Sequence, residues 1–331
     1  MRFPTLVSTA FLATTGLVAA LGSPASAHDG HSAVHGMNHG TPTGAGHAAT
    51  IREPGLSEGV KRSRQRVRYF AATMTGDQEV PTAGGPAVGD KDGRALGLVR
   101  IQGSRVTFFA SWKNQQAASL FHIHEGRRGQ NGAVKVTLLA GALPETVTSV
   151  AGVAAIEDAK VADAIVARPN NFYLNLHTPE FPGGATRGQL RQVRGGKLLA
   201  LLKGGRFGAF MSGDQEVPTA GGPAVGDKDG RAAGFVSPRN RSLNYSFAWA
   251  KISEPTLGHI HRGNKGANGA VVVPLFGTAM PDGVVAASGT VHDVDSDLLA
   301  EIKRNPRGFY LNLHTKEQPG GAVRGQLFTR H

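Results

Sequence analysis

The sequence has no cysteine and only one long apolar stretch, which lies at the N-terminus. Without cysteine the chain forms neither disulfides nor thiolate metal sites, so its domains must be stable through their cores alone. No later segment approaches the about 18 uninterrupted apolar residues that a membrane helix needs. We therefore expect no transmembrane anchor and a fold without covalent cross-links.

Acidic residues are scarce, since 24 Asp and Glu stand against 36 Lys and Arg and leave a formal net charge of +12. Much of the excess lies in a basic run formed by Lys61, Arg62, Arg64, Arg66 and Arg68. The run contains no aromatic residue on which bases stack, so it favours an anionic cell-surface polymer or lipid headgroups over nucleic acid. A solvated linker that binds nothing explains the same pattern.

The N-terminus has the form of an export signal. Arg2 precedes an apolar stretch over residues 6–21, and the small residues at 25–27 form a cleavage site. Residues 1–27 are thus predicted to be a signal peptide. The mature protein is expected to be secreted or otherwise extracytoplasmic.

Residues 28–65 are predicted to be a disordered arm and basic linker, because they contain few large apolar groups to bury. The arm contains Met37 and five histidines, which are His28, His31, His35, His39 and His47. Imidazoles and a thioether on a flexible backbone suit copper and, less selectively, zinc. The alternative is a solvated tail whose histidines bind nothing.

The rest of the chain consists of two copies of one sequence repeat. Residues 76–95 and 213–232 share the same twenty letters, and the same offset of 137 relates the FYLNLHT segments at 172–178 and 309–315. A unit of this length can bury its own core, unlike the units of about 20–50 residues in solenoids. We therefore predict two tandem domains at 66–196 and 203–331, joined by a linker at 197–202.

Each repeat has the pattern of β-structure with one helix. The segments Arg105–Trp112 and Ser242–Trp249 are rich in aromatic and β-branched residues, and turn residues separate the apolar runs. A helix is expected at Glu157–Arg168 and at Asp295–Arg304, because a proline follows each segment as a stop signal. Short strands divided by turns predict an all-β sandwich or barrel.

Each repeat also contains an HxH pair and a later histidine. Alternate side chains of a strand share a face, so the two imidazoles of a pair point the same way. The predicted sets are His122, His124 and His177 in the first repeat and His259, His261 and His314 in the second. Three neutral imidazoles suit zinc or copper and leave a fourth position open to water or substrate.

A polar network explains the same histidines without a metal. Glu79 and Glu216 offer carboxylates as hydrogen-bond partners for the imidazoles. Arg187 and Arg324 can complete the network, since an arginine and a carboxylate form a strong bidentate pair. The residues alone leave both interpretations open.

The order of these motifs resembles the CHRD domain family. GDQEVP, a glycine-rich loop, HIHxGxxGxxGxV, FYLNLHT and PGGAxRGQL follow one another in both copies, at about 66–196 and 203–331. The resemblance implies two tandem immunoglobulin-like, Greek-key β-sandwich domains with a non-enzymatic role and an unidentified extracellular protein or ligand as partner. It marks ten motif positions without assigning them chemistry: Glu79, His122, His124, His177, Arg187, Glu216, His259, His261, His314 and Arg324.

The sequence therefore predicts a secreted, non-catalytic binding or structural module at the cell surface, with copper or zinc binding by the arm. The alternative is a metal-dependent enzyme that uses a three-histidine site in each repeat. A weaker likeness to copper–zinc superoxide dismutase supports this alternative, because that enzyme also places HxH on a strand of a Greek-key sandwich. That enzyme, however, has a cysteine pair and uses more histidines than the two repeats share.

Overall fold

A computed structural model describes residues 66–194 and 204–330, which form one compact unit. The predicted signal peptide, the His-rich arm, the start of the basic run and the linker at 197–202 lie outside the described residues. Among the described residues, no helix has the length and apolar character needed to cross a membrane.

Strands dominate both repeats. Those of the first repeat are β1 Arg68–Thr75, β2 Arg94–Gln102, β3 Arg105–Lys113, β4 Leu120–Glu125, β5 Val134–Leu139, β6 Val147–Ala155, β7 Phe172–His177, β8 Thr186–Gln189 and β9 Arg191–Val193. Those of the second are β10 Phe207–Ser212, β11 Arg231–Arg239, β12 Ser242–Ala250, β13 Leu257–Arg262, β14 Val271–Phe276, β15 Val284–Val291, β16 Phe309–His314, β17 Val323–Gln326 and β18 Phe328–Thr329.

The strands of each repeat form two antiparallel layers. In the first repeat, β6, β3, β2 and β1 make one layer, and β5, β4, β7 and β8 make the other. β1 joins the layers because it also pairs with β8 and β9. Apolar side chains such as Phe108, Phe121 and Leu174 are fully buried in the core. The predicted all-β sandwich is confirmed, and the second repeat has the same arrangement.

One short helix in each repeat leads the chain to the FYLNLH strand, as predicted. The helices are α1 Ala159–Ala167 and α2 Ser296–Arg304. Both begin one residue after an aspartate whose side chain accepts a hydrogen bond from a backbone N–H of the first turn. Such a cap satisfies a donor that has no partner within the helix, which explains why the first helix starts later than the predicted Glu157.

The two repeats share a continuous sheet that was not predicted. β6 pairs antiparallel with β15, so that Ser149 lies opposite Ser288 and Val150 opposite Ala287. Val150 and Ala287 are equivalent under the offset of 137, so an approximate two-fold axis passes between them. The hydroxyls of Ser149 and Ser288 form a hydrogen bond, and Val153 N donates to Gly283 O at 2.8 Å. The duplication therefore joins two four-stranded layers into one eight-stranded sheet.

Candidate functional site

β4 and β7 bring the three imidazoles of the first set together. His122 lies opposite Asn175 in this antiparallel pair, which makes His177 its diagonal neighbour on the same face. One ring nitrogen from each of His122, His124 and His177 lies within 4.8 Å of the others. His259, His261 and His314 converge in the same way in the second repeat.

Backbone carbonyls fix two of the three imidazoles. His177 Nδ1 lies 2.9 Å from Pro182 O, and His124 Nδ1 lies 2.9 Å from Gly132 O. A carbonyl accepts hydrogen bonds and cannot donate them, so both rings carry their proton on Nδ1 and keep a lone pair on Nε2. Metal-binding histidines are commonly held this way by their second nitrogen. Nε2 of His124 is buried and has no protein partner.

The third imidazole, that of His122, differs because its Nδ1 faces the other two rings. His122 Nδ1 lies 3.3 Å from His177 Nε2, and the equivalent distance in the second repeat is 3.2 Å. Two nitrogens bound tetrahedrally to one zinc ion lie about 3.3 Å apart, because each Zn–N bond is about 2.0–2.1 Å long. The geometry fits a ligand set of Nδ1 from His122 and Nε2 from His124 and His177.

A stack of Tyr173 and Arg187 supports His124. The ring of Tyr173 lies nearly parallel to the imidazole, with 4.9 Å between the centroids. The guanidinium carbon of Arg187 lies 3.4 Å from the centroid of Tyr173. Arg187 also donates hydrogen bonds to Asn131 Oδ1 and to two carbonyls of the 126–132 loop. It thereby fastens the loop whose Gly132 carbonyl holds His124.

Gly132 can occupy its position because it has no side chain. A Cβ at this residue would lie 1.6 Å from the carbonyl oxygen of Glu125. Any other residue would push the loop away from β4 and move the carbonyl that fixes His124. This close approach gives Gly132 a structural role beside the imidazoles.

The repeated twenty-residue segment at 76–95 contacts the two loops that carry the carbonyls of Pro182 and Gly132. Gly183 N donates to Ala87 O and Gly89 N donates to Gly184 O, which fixes the turn that contains Pro182. On the other side, Asn131 Nδ2 donates to Val80 O at 2.8 Å. The segment therefore holds in place the loops beside the imidazoles, a role that its sequence did not indicate.

The arginine–carboxylate pairs of the polar-network interpretation do not form. Among the described residues, neither Arg187 nor Arg324 forms a salt bridge, because each guanidinium is bound to its own glycine-rich loop. Glu79 instead accepts a hydrogen bond of 3.5 Å from Asn175 Nδ2, and Glu216 accepts the equivalent bond in the second repeat. The fixed imidazoles also bind carbonyls and not these carboxylates.

Burial keeps the imidazoles uncharged at neutral pH. Desolvation, with the neighbouring imidazoles, lowers the pKa of His122 to about 4, and the same causes lower the pKa of His259 to about 4. Desolvation also lowers the pKa of the other four members of the two sets. Neutral imidazoles have the free lone pairs that metal binding requires.

The carboxyl of Glu79 is perturbed in the opposite sense. Desolvation raises its pKa to about 8, although the charge of Arg187 acts in the other direction. The pKa of Glu216 rises to about 7 for the same reason, opposed by Arg324. Both half-buried carboxyls lie beside a buried asparagine in the middle of the FYLNLH strand.

Comparison with protein families identifies the repeats. The model of the CHRD domain matches residues 70–190 and 207–327, which together are more than half of the chain. The chain belongs to the CHRD domain family. A comparison with curated proteins gave no match. Tandem CHRD repeats indicate a binding or structural module, because the CHRD family is not an enzyme family.

The CHRD motif positions now have locations. In each CHRD repeat, the histidines converge, the arginine holds the glycine-rich loop, and the glutamate lies beside the asparagine of the FYLNLH strand. Sequence reasoning placed Tyr173 on the strand face of His177 but gave it no role at the site. It missed Asn131 and the carbonyls of Gly132 and Pro182. The carbonyls had no signal in the sequence.

Proposed function

We propose that this chain is an exported, non-catalytic module in which each CHRD repeat binds one zinc or copper ion through three imidazoles. The observation that carries the proposal is the convergence of three ring nitrogens within 4.8 Å in both repeats. Two rings of each set are already oriented by carbonyls, so binding requires little rearrangement of the protein.

The groups beside the imidazoles support a binding role without catalysis. Arg187 uses its guanidinium to hold the 126–132 loop, and the hydroxyl of Tyr173 accepts a hydrogen bond from Gly132 N. Asn175 is engaged with Glu79. Through these contacts the three side chains stabilise the scaffold.

Metal analysis of a variant that lacks residues 28–50 tests the proposal, because it removes the histidines of the arm. We expect two ions per chain, one ion after His124→Ala, and none after His124→Ala with His261→Ala. His292→Ala is the matched control, since His292 is exposed and lies outside both sets. Protein that stays metal-free, with a melting temperature that zinc and copper leave unchanged, would contradict the proposal.

One observation favours the alternative of a superoxide-dismutase-like enzyme. His122 and His124 are only half-buried, so a bound ion can keep a fourth position towards solvent. Copper-loaded protein should then dismutate superoxide, and His124→Ala with His261→Ala should abolish that activity. Activity equal to that of free copper would remove the alternative.

The organisation of the whole chain forms part of the proposal. We propose a signal peptide at 1–27, domains at 66–196 and 203–331, and a second kind of copper or zinc site in the arm. The five arm histidines, His28, His31, His35, His39 and His47, should bind Cu(II) at neutral pH and release it below roughly pH 6 as they become protonated. Deleting residues 28–50 should remove this component without unfolding the CHRD repeats.

The charge of the chain supports an anionic partner at the cell surface. The basic run from Lys61 to Arg68 should attract an anionic polymer or lipid headgroups through a field that salt screens, with a Debye length of about 8 Å at physiological ionic strength. Replacing the run with Gln should weaken sedimentation with anionic material at low salt. Binding that ignores salt and this replacement would contradict the assignment.

A further inference from the structure

The second repeat carries an exposed aromatic cluster, the Phe210 patch, on the outer face of the eight-stranded sheet. Phe210 is 54% exposed, and its ring stacks on Phe328 with 5.4 Å between the centroids. Phe328, Phe235 and Arg330 meet above Gly208, where a Cβ would contact all three at 3.1–3.4 Å. The guanidinium carbon of Arg330 lies 4.8 Å from the centroid of Phe235.

The fold does not require this patch. The positions 137 residues earlier, which have the same place in the first repeat, are Thr73, Leu98, Arg191 and Val193. None of them is aromatic, and both repeats form the same sandwich. Exposed phenylalanine in water is unfavourable, so its presence in one repeat alone points to an interaction that covers it.

Cations surround the patch. Arg231 lies on the same face of β11 as Phe235, and Arg206 immediately precedes β10. Among the described residues, neither they nor Arg330 form a salt bridge. An apolar centre with unneutralised guanidiniums around it is complementary to a surface that has anionic groups above an apolar layer.

We propose that the Phe210 patch docks the protein on an anionic lipid bilayer. Phe210 and Phe328 enter the boundary between headgroups and acyl chains, and the three arginines bind lipid phosphates. A second copy of this chain fits less well, because it would bring the guanidiniums of two patches together. A dissolved polyanion fits less well too, because it would neutralise the arginines but leave the phenyl rings in water.

Vesicles of phosphatidylcholine with 30% phosphatidylglycerol test the proposal, with pure phosphatidylcholine vesicles as the uncharged reference. We expect Phe210→Ser with Phe328→Ser to weaken the partition of the full chain into the anionic vesicles by about tenfold or more, since both phenyl rings lose their burial in the bilayer. The matched control is Val134→Ser with Val271→Ser, which removes two other exposed apolar side chains from the edge strands β5 and β14. The control should bind like the parent chain.

A second readout does not depend on the half-buried Phe328. Phe210→Trp should give a fluorescence that brominated phosphatidylglycerol quenches, whereas the emission of the buried Trp112 and Trp249 should be unchanged. Equal vesicle binding by the serine variant and the parent overturns the proposal, as does an unquenched Trp at position 210. Loss of binding to soluble polyanion, or of self-association, in the serine variant without loss of vesicle binding assigns the patch to that other partner. The proposal does not rest on metal binding, and each can fail alone.

Discussion

The buried carboxyl of Glu79 should make the metal-free protein less stable as the pH rises. Burial raises the folded-state pKa from 4.5 to about 8, so the folded state keeps a proton that the unfolded chain releases at lower pH. The protonated group therefore contributes stability that is fully present below pH 4.5. This contribution is lost as the pH rises through about 8.

The shift sets the magnitude of the effect. One pKa unit corresponds to about 1.36 kcal/mol, so a change from 4.5 to about 8 has an upper limit of roughly 5 kcal/mol. Partial exposure of the carboxyl screens the interaction, and we expect about 2–3 kcal/mol from Glu79. Glu216, whose pKa rises to about 7, should add about 1–2 kcal/mol.

The double variant Glu79→Gln with Glu216→Gln isolates this contribution. Glutamine has nearly the same shape without the charge, and its amide can donate to Asn175 Oδ1, a buried atom that has no protein partner. Urea unfolding in the presence of a chelator measures the free energy of unfolding of both proteins. Between pH 5 and pH 8.5, this free energy should rise by about 3 kcal/mol in the variant relative to the parent. The control Glu145→Gln replaces an exposed glutamate and should leave the profile of the parent unchanged.

Parallel pH profiles for the parent and the double variant would refute the reasoning. Such a result would mean that both carboxyls ionise in the folded state as easily as in the unfolded chain. The burial of the pair would then have no electrostatic consequence.

Three further predictions concern the imidazoles and their supports. In the double glutamine variant, lowering the pH from 6.5 to 4 should reduce the free energy of unfolding in urea. The unfolded chain takes up a proton over this range, whereas folded His122, with a pKa of about 4, does not. An unchanged urea midpoint would contradict this prediction. Gly132→Ala should destabilise the protein by about 2 kcal/mol or more and weaken one of two metal sites, as a titration against a competing chelator would detect. Arg187→Met should lower the free energy of unfolding by about 2–4 kcal/mol because it leaves the acceptors of the 126–132 loop unpaired, whereas an exposed control, Arg128→Met, should change it little.

The strands and the imidazole sets followed from periodicity. Alternation along a strand placed His122 and His124 on one face, and the polar face of FYLNLHT supplied His177, because the period of a strand is independent of its distant contacts. The helix at Asp295–Arg304 was also readable, since a capping aspartate and a following proline are local signals.

The hydrogen-bond partners of the charged side chains could not be predicted from sequence periodicity. The polar-network interpretation offered Arg187 a carboxylate because opposite charges attract, yet Arg187 binds carbonyls of a loop about 60 residues earlier. Backbone carbonyls exist at every residue, so no letter marks the ones that accept. The pairing of Val150 with Ala287 was hidden for a related reason, because an edge strand has the same sequence pattern whether a partner covers it or not.

The joint between β6 and β15 has a consequence for the order in which the protein matures. The first repeat is synthesised before its partner strand exists, and until then β6 presents unpaired N–H and C=O groups along its outer side. The second repeat, tethered to the first, then delivers the matching strand at a high effective concentration, which favours pairing within one chain over pairing between neighbouring chains. We expect that a nascent chain stopped before Val284 is the most aggregation-prone species of this protein.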